Sequence, residues 1–280
     1  MANVYRPWEQ STLMDLGKIR VGCSGWSYKD WDGIFYPHGM ATKDYLSFYS
    51  NVFDCVEVDS SFYRIPNQFM VSQWRSNTPA GFGFSPKLPK KITHEKKLKD
   101  SESTLVYFYS VMRKLKDKLG PIAIQLPPSV KLSTHQEVMK EFLSQLSPEF
   151  KHAIEFRHKS WFTPEVYSLL TKNNVAMVWT LNQYVESPPV VTADFAYLRM
   201  VGDREITEFT GVQKDRSGDL ARWAEAVKDN AGKFESGYVF FNNHFAGFSP
   251  ESANEFRRLL GLMELDWNAQ GHEQQTLFGQ

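Results

Sequence analysis

Apolar and polar residues alternate in short runs along most of this chain. In chain order the pattern marks strands at residues 19–25, 55–59, 82–87, 122–126, 153–157, 175–180, 195–200 and 238–243; a period of two shows in the second to fifth and the seventh, and the sixth is a continuous apolar run. In the second, Val56 and Val58 share one face and Cys55, Glu57 and Asp59 the other. In the third, Phe82 and Phe84 oppose Gly83, Ser85 and Lys87, and Pro86 marks the end of pairing. The fourth sets Ile122, Ile124 and Leu126 against Ala123 and Gln125. The fifth sets Ile154 and Phe156 against Ala153, Glu155 and Arg157. The seventh sets Leu198 and Met200 against Tyr197 and Arg199. Helical spacing occupies 42–53 with Thr42 as a cap, 67–77, 101–119, 134–146, 163–173 with Thr163 as cap and Pro164 in the first turn, 219–231 and 250–261.

Strands alternating with helices predict an α/β fold with a parallel sheet. Eight units predict closure into a single TIM-type (β/α)8 barrel over residues 19–262, with an N-terminal arm at 1–18 and a flexible polar tail at 263–280. No composition shift marks a second domain.

The alternation also locates a site. If the Val/Ile/Phe faces meet the helices, the opposite faces turn inward with Ser24, Glu57, Asp59, Ser85, Lys87, Gln125, Glu155, Arg157, Arg199 and Asn242. Nearly all stand at the carboxyl ends of their strands, where barrel enzymes place their chemistry. Glu57 and Glu155 are candidate acid–base catalysts, provided their surroundings raise their pKa. Lys87 is a candidate catalytic amine or a plain anion contact. Arg157, Arg199, Asn242, Gln125 and Asp59 are candidate substrate contacts, the guanidiniums suiting carboxylate or phosphate. Trp26, Tyr63 and Trp161 lie on loops where they could stack on a sugar or base. The competing reading is an ion-pair plug, since Glu57, Asp59 and Glu155 balance Lys87, Arg157 and Arg199. Buried pairs barely repay their desolvation, which favours a pocket. On the pocket reading, Glu155→Gln or Arg157→Met should leave folding intact and abolish ligand binding.

Composition narrows the picture modestly. Lys+Arg and Asp+Glu are both 32, so no net charge draws the whole molecule to nucleic acid, although a local basic groove stays open. The two cysteines, Cys23 and Cys55, lie within strands and point to a reducing cytoplasm. No run of about 18 apolar residues occurs, so no membrane is expected. HExxH, CxxC, Walker and Gly-x-Ser-x-Gly motifs are absent, and no organic cofactor motif is present. A divalent metal held by carboxylates stays open, because such ligands need not be close in sequence.

The chain resembles the YecE-like family of uncharacterised TIM-barrel proteins, a domain of unknown function. The resemblance rests on Gly25-Trp26-Ser27-Tyr28 with Trp31 and Gly33, Phe35-Tyr36-Pro37, Val56-Glu57 with Ser61-Phe62-Tyr63, and Phe84 with Lys87. It continues through Gln125-Leu126-Pro127-Pro128, Glu155-Phe156-Arg157-His158 with Ser160-Trp161, Thr192-Ala193-Asp194-Phe195 and Phe241-Asn242-Asn243. It implies the barrel fold and no reaction. Asp59 stands where the family often has Asn, Val201-Gly202 where many members have His-Gly, and His244 where an acid is common.

The tail carries Gln274-Gln275-Thr276-Leu277-Phe278, similar to the short peptide by which bacterial replication and repair proteins bind the sliding clamp. Gln274, Leu277 and Phe278 are its candidate anchors. The competing reading is a solubilising tail. Three functions follow: an enzyme, a hydrolase or lyase in class, acting on an anionic sugar-, nucleotide- or carboxylate-like molecule; a nucleic-acid-linked accessory recruited by the tail; and a non-catalytic binding module.

Overall fold

The computed structural model describes residues 16–268. Nine strands form in chain order: β1 (Ile19–Ser24), β2 (Cys55–Val58), β3 (Gly83–Pro86), β4 (Ile122–Gln125), β5 (His152–Glu155), β6 (Val175–Met177), β7 (Trp179–Asn182), β8 (Phe195–Gly202) and β9 (Ser236–Phe241). Eight α-helices accompany them: α1 (Tyr45–Val52), α2 (Ser60–Tyr63), α3 (Gln68–Ser76), α4 (Glu102–Met112), α5 (Leu132–Gln145), α6 (Pro164–Lys172), α7 (Ser217–Asn230) and α8 (Ser249–Leu259).

All pairing between the strands is parallel, as alternation with helices requires. The expected single ring of eight strands is not what the hydrogen bonds draw. They define a six-stranded sheet, β3-β2-β1-β9-β8-β7, and a three-stranded sheet, β4-β5-β6. The expected sixth strand divides at Val178. Its first part pairs with β5, the Val178 amide donates to the Ile154 carbonyl, and the second part pairs with β8.

Burial separates the two faces of the strands. Val56, Ile124, Ile154, Leu198, Val239 and Phe241 pack with the helices in one large core. Cys55, Ala123, Ala153, Ala176, Val178, Phe195, Tyr197 and Phe240 form a second, smaller apolar cluster on the opposite face. Side chains there are mostly small, because several strands point at the same space. The charged residues sit beyond this cluster, toward the strands' carboxyl ends.

Side-chain caps start α3 and α6. Thr163 Oγ1 accepts from the Val166 amide behind Pro164, and Asn67 Oδ1 accepts from the Met70 amide 2.8 Å away to cap α3. Thr42 does not cap α1; it begins a single 3-10 turn, Thr42–Asp44, that leads into the helix. The helix expected over 101–119 ends at Met112 and continues as 3-10 turns over Arg113–Lys118, kinked at Lys116, which adopts φ 53°. Trp267, expected in the tail, is seated on the body. Its indole donates to the Ile34 carbonyl at 3.0 Å and its ring lies against Phe35 and Phe248. The clamp-like peptide with Gln274, Leu277 and Phe278, and most of the expected N-terminal arm, lie outside the described residues. Among the described residues, no helix is long and apolar enough to cross a membrane.

Candidate functional site

The charged side chains divide into a floor and a wall. Arg199 is the centre of the floor. It leaves β8 on the same face as Tyr197, two residues earlier, and is 2 % exposed. Its Nη2 donates to Glu57 Oε2 at 2.9 Å, and its Nε lies 2.8 Å from Glu57 Oε1. Its Nη1 donates to Glu155 Oε2 and, at 3.1 Å, to Gln125 Oε1. Tyr197 donates its hydroxyl to Glu57 Oε1 at 2.8 Å, and Ser24 donates to Oε2 at 2.9 Å. The carboxyl ends of β1, β2, β4, β5 and β8 are thereby tied through one guanidinium.

This arrangement fixes the protonation of the two glutamates. Burial alone would raise the Glu57 pKa. Attraction to Arg199 and Lys87, with hydrogen bonds from Arg199 and Tyr197, outweighs it and holds the carboxyl well below its usual range. The same contest at Glu155, with burial opposed by Arg199 and Arg157, ends at about 2. Acid–base work by Glu57 or Glu155 required a raised pKa. Both are lowered, so the condition fails and both stand as locked anions beneath Arg199.

The wall faces a cavity of about 220 Å³. Lys87, at the end of β3, places its ammonium 2.6 Å from Asp59 Oδ1 and 3.3 Å from Glu57 Oε2. Ser61 holds the Lys87 backbone at both polar ends: it accepts from the Lys87 amide and donates to the Lys87 carbonyl, each at 2.9 Å. Asp59 keeps 32 % of its side-chain surface open. Its pKa is raised, first by desolvation within the walls and then by the Glu57 charge, with Lys87 pulling the other way. Of the three carboxylates, the one that reaches the cavity is the one whose pKa is raised rather than lowered. Arg157 donates Nε to Glu155 Oε1 at 2.7 Å and stacks its guanidinium on Tyr184, 5.5 Å from the ring centre. Its terminal Nη groups take no protein hydrogen bond among the described residues.

Asn242 and Tyr63 line the same cavity, Tyr63 with 69 % of its surface exposed. Asn242 also caps the turn after β9, its Oδ1 accepting from the His244 amide at 3.1 Å. Trp26 and Trp161 do not line it. Trp26 packs edge-on against Trp74 and Phe84. Trp161 is fully buried, stacks on Phe156 and donates to the Val130 carbonyl at 2.8 Å. Trp161 is wedged into the core that the helices cover and half-buried Trp26 packs against it, because a loop tryptophan next to an apolar strand face gains by burial.

Four contributors were not legible as site residues. Tyr197 shares the Arg199 face, so alternation places it, but an aromatic there reads as core. Arg204 and Phe209 come from the long loop after β8, and His244 from the turn after β9. Arg204 is exposed, adopts φ 67° and has no ion pair among the described residues. His244 must carry its proton on Nδ1, which lies 2.8 Å from the Ile206 carbonyl, leaving Nε2 as its remaining polar atom. Gly202 permits this meeting. At φ 77° it lets β8 pass so close to the turn after β9 that a Cβ would stand 2.3 Å from the His244 carbonyl. Among the described residues, no three His, Cys, Asp or Glu side chains gather so as to hold a metal ion.

Comparison with known proteins extends the picture. Residues 20–276 match the family model described as protein of unknown function DUF72. The chain is similar to the UPF0759 protein YecE of Escherichia coli (strain K12), 28 % identical over 144 residues, which are 51 % of this chain and 50 % of that protein. It thus spans about half the length of that relative. It is 23 % identical over 288 positions to the UPF0759 protein YunF of Bacillus subtilis (strain 168), covering 93 % of this chain and 100 % of YunF. Among solved structures, a DUF72 family protein of Thermotoga maritima MSB8 superposes with TM-score 0.74 at 29 % identity, over 87 % of this chain and 99 % of that one. A DUF72 family protein of Enterococcus faecalis V583 shares the fold with TM-score 0.71 at 21 % identity, over 88 % of this chain and 96 % of its own. Motifs, matched length and superposed fold agree that the chain belongs to the DUF72 family, the YecE-like group.

Proposed function

We propose that the protein is an enzyme that binds a small anionic molecule, sugar-, nucleotide- or carboxylate-like, in the cavity at the carboxyl ends of the strands. The carrying observation is the charge balance at that cavity. Lys87, Arg157, Arg199 and Arg204 border it, whereas Asp59 is the carboxylate that reaches it. The Arg157 Nη groups and the whole Arg204 guanidinium are open to a carboxylate or phosphate. Tyr28, Phe62, Tyr63 and Phe209 offer aromatic surface for a ring attached to that anion. Asp59 is the proton-handling group, with Lys87 beside it as electrostatic partner; the floor of Glu57, Arg199 and Glu155 holds the wall in place. A hydrolase or a lyase would both use such a carboxylate.

The same reading treats the two sheets as one closed (β/α)8 barrel. Isolated parallel bridges Phe84–Leu119 and Lys87–Ala123 link the β3 edge toward β4, and the chain runs from β6 through Val178, whose amide still bonds to β5, directly into β7. The small apolar cluster is then the barrel interior, and the cavity its mouth.

A thermal-shift screen of phosphosugars, nucleotides and organic acids, with divalent metals as a separate arm, tests this. A ligand that binds only the native state raises its melting temperature. At least one anion should do so for the natural chain and lose the effect in Arg157→Met and in Arg204→Ala. No shift with any anion, or a shift retained in both variants, contradicts the proposal. With a hit in hand, Asp59→Asn should keep binding and lose turnover.

A further inference from the structure

Outside the cavity, the largest unexplained feature is a run of basic residues on one edge of the sheets. Residues 87–99 contain six lysines and a single acid, Glu95. The run follows β3. Lys131 follows β4 and Lys159 follows β5, so in a parallel arrangement all lie on the edge that holds the cavity. Contacts join these loops into one surface. Phe62, on the cavity wall, meets His94 edge-on at 4.9 Å. The Leu132 amide donates to Ser160 Oγ at 3.1 Å and brings Lys131 beside the turn that begins with Lys159. Lys90, Lys91, Lys99, Lys131 and Lys159 are exposed, and none has an ion pair among the described residues.

The run is not a loose loop. Lys97, Leu98 and Asp100 all have positive φ, at 49°, 76° and 46°. Three such residues within four positions carry strain. Buried Leu98 holds them, with its amide donating to the Ile92 carbonyl at 2.9 Å and Ser101 Oγ donating to its carbonyl at 2.7 Å. The cations also feel one another. The His94 pKa falls to about 4 through burial, then Arg157, with Lys87 and Lys90 adding to it. That of His135 falls through burial and then Lys97, with Lys99 adding to it. A protein of zero net charge has gathered unpaired positive charge on one strained, anchored surface that runs into a cavity.

We infer that this surface binds single-stranded nucleic acid, with the sugar–phosphate backbone along the lysine arc and a terminal phosphate in the cavity. The inference rests on the anion-binding reading of that cavity. A single strand fits better than a duplex because the arc is flanked by exposed aromatic rings. Tyr63 is 69 % and Tyr184 47 % exposed, and an unstacked base can lie on such a ring where a paired one cannot. Tyr184 is already backed by the Arg157 guanidinium. The arc would supply affinity by releasing counterions, without reading sequence.

The test is fluorescence anisotropy on the full chain with a labelled 12-nucleotide strand, with and without a 5′-phosphate, and the corresponding duplex. Heparin serves as a stacking-free polyanion. The single strand should bind, with affinity falling steeply as salt rises, at a log–log slope of about −0.7 per phosphate neutralised. Lys97→Glu/Lys99→Glu/Lys131→Glu should weaken it at least tenfold and flatten the slope, while leaving the melting temperature and the small-anion thermal shift unchanged. Tyr63→Ala should weaken the strand and not heparin. Equal binding of duplex or heparin, or indifference to the triple reversal, overturns the inference. If the small-anion shift is absent while the strand still binds through the arc, the cavity reading fails alone. If the shift is present and no strand binds, the arc reading fails alone.

Discussion

The floor and the wall of the site use the same residue types to opposite ends. Glu57, Glu155 and Arg199 are sealed from solvent, and each polar atom of Arg199 faces a partner. Asp59, Lys87, Arg157 and Arg204 line the cavity, where Asp59 keeps 32 % of its side-chain surface open and Arg204 has no ion pair among the described residues. A carboxylate in the floor is driven toward its anion by two or more cations; in the wall, Asp59 is driven toward its neutral acid by burial and Glu57. An ion pair is therefore not one kind of feature. The plug reading describes the floor and the pocket reading describes the wall, and the boundary lies between side chains that adjoin in the network.

The comparison can be broken most decisively at Arg199. Arg199→Met leaves two buried carboxylates facing each other without their cation and should cost about 3–5 kcal/mol in denaturant unfolding. A loss below about 1 kcal/mol would mean the floor is not structural. Glu155→Gln belongs to the same class: it should destabilise, contrary to what the strand pattern alone suggests, because it strips charge from Arg199 and Arg157 together.

The next effect is on pH. The folded Glu155 pKa, about 2, lies below its ordinary value of 4.5. Its stabilisation is then complete above pH 4.5 and is lost as pH falls toward 2, and Glu57 acts in the same direction. Asp59 has the opposite sign. Its raised pKa makes its charge a cost at neutral pH, relieved as pH falls. Asp59→Asn should thus change stability at pH 7 little or favourably, and should remove that contribution from the pH profile measured by thermal unfolding. A large loss would place Asp59 in the floor.

How much of this was legible depends on which physical signal places each residue. Alternation alone puts Glu57, Glu155, Arg157 and Arg199 on the polar faces of their strands, because period two is unambiguous when the other face is Val, Ile, Phe, Leu or Met. It does not say which carboxylate is sealed, since that depends on how strands from distant parts of the chain converge on Arg199. Tyr197 was masked by chemistry: an aromatic on an inward face reads as packing until its hydroxyl finds Glu57. Trp26 and Trp161 are the reverse case: their loop positions suggest a rim, yet Trp161 fills core and Trp26 packs against it. The break at Val178 is invisible in a continuous apolar run, because it reflects a change of pairing partner, from β5 to β8. Arg204 and His244 depend on loop paths that Gly202 permits, and loops carry no periodicity to read.

The most direct test sits at Arg204, whose exposed guanidinium has no ion pair among the described residues. Binding of the anion identified by thermal shift, measured by titration calorimetry, and unfolding by urea should be followed on the same preparation of Arg204→Ala. Affinity should fall at least tenfold while stability stays within about 0.5 kcal/mol of the natural chain. Unchanged affinity at unchanged stability would contradict the pocket reading and leave the ion network as a plug alone.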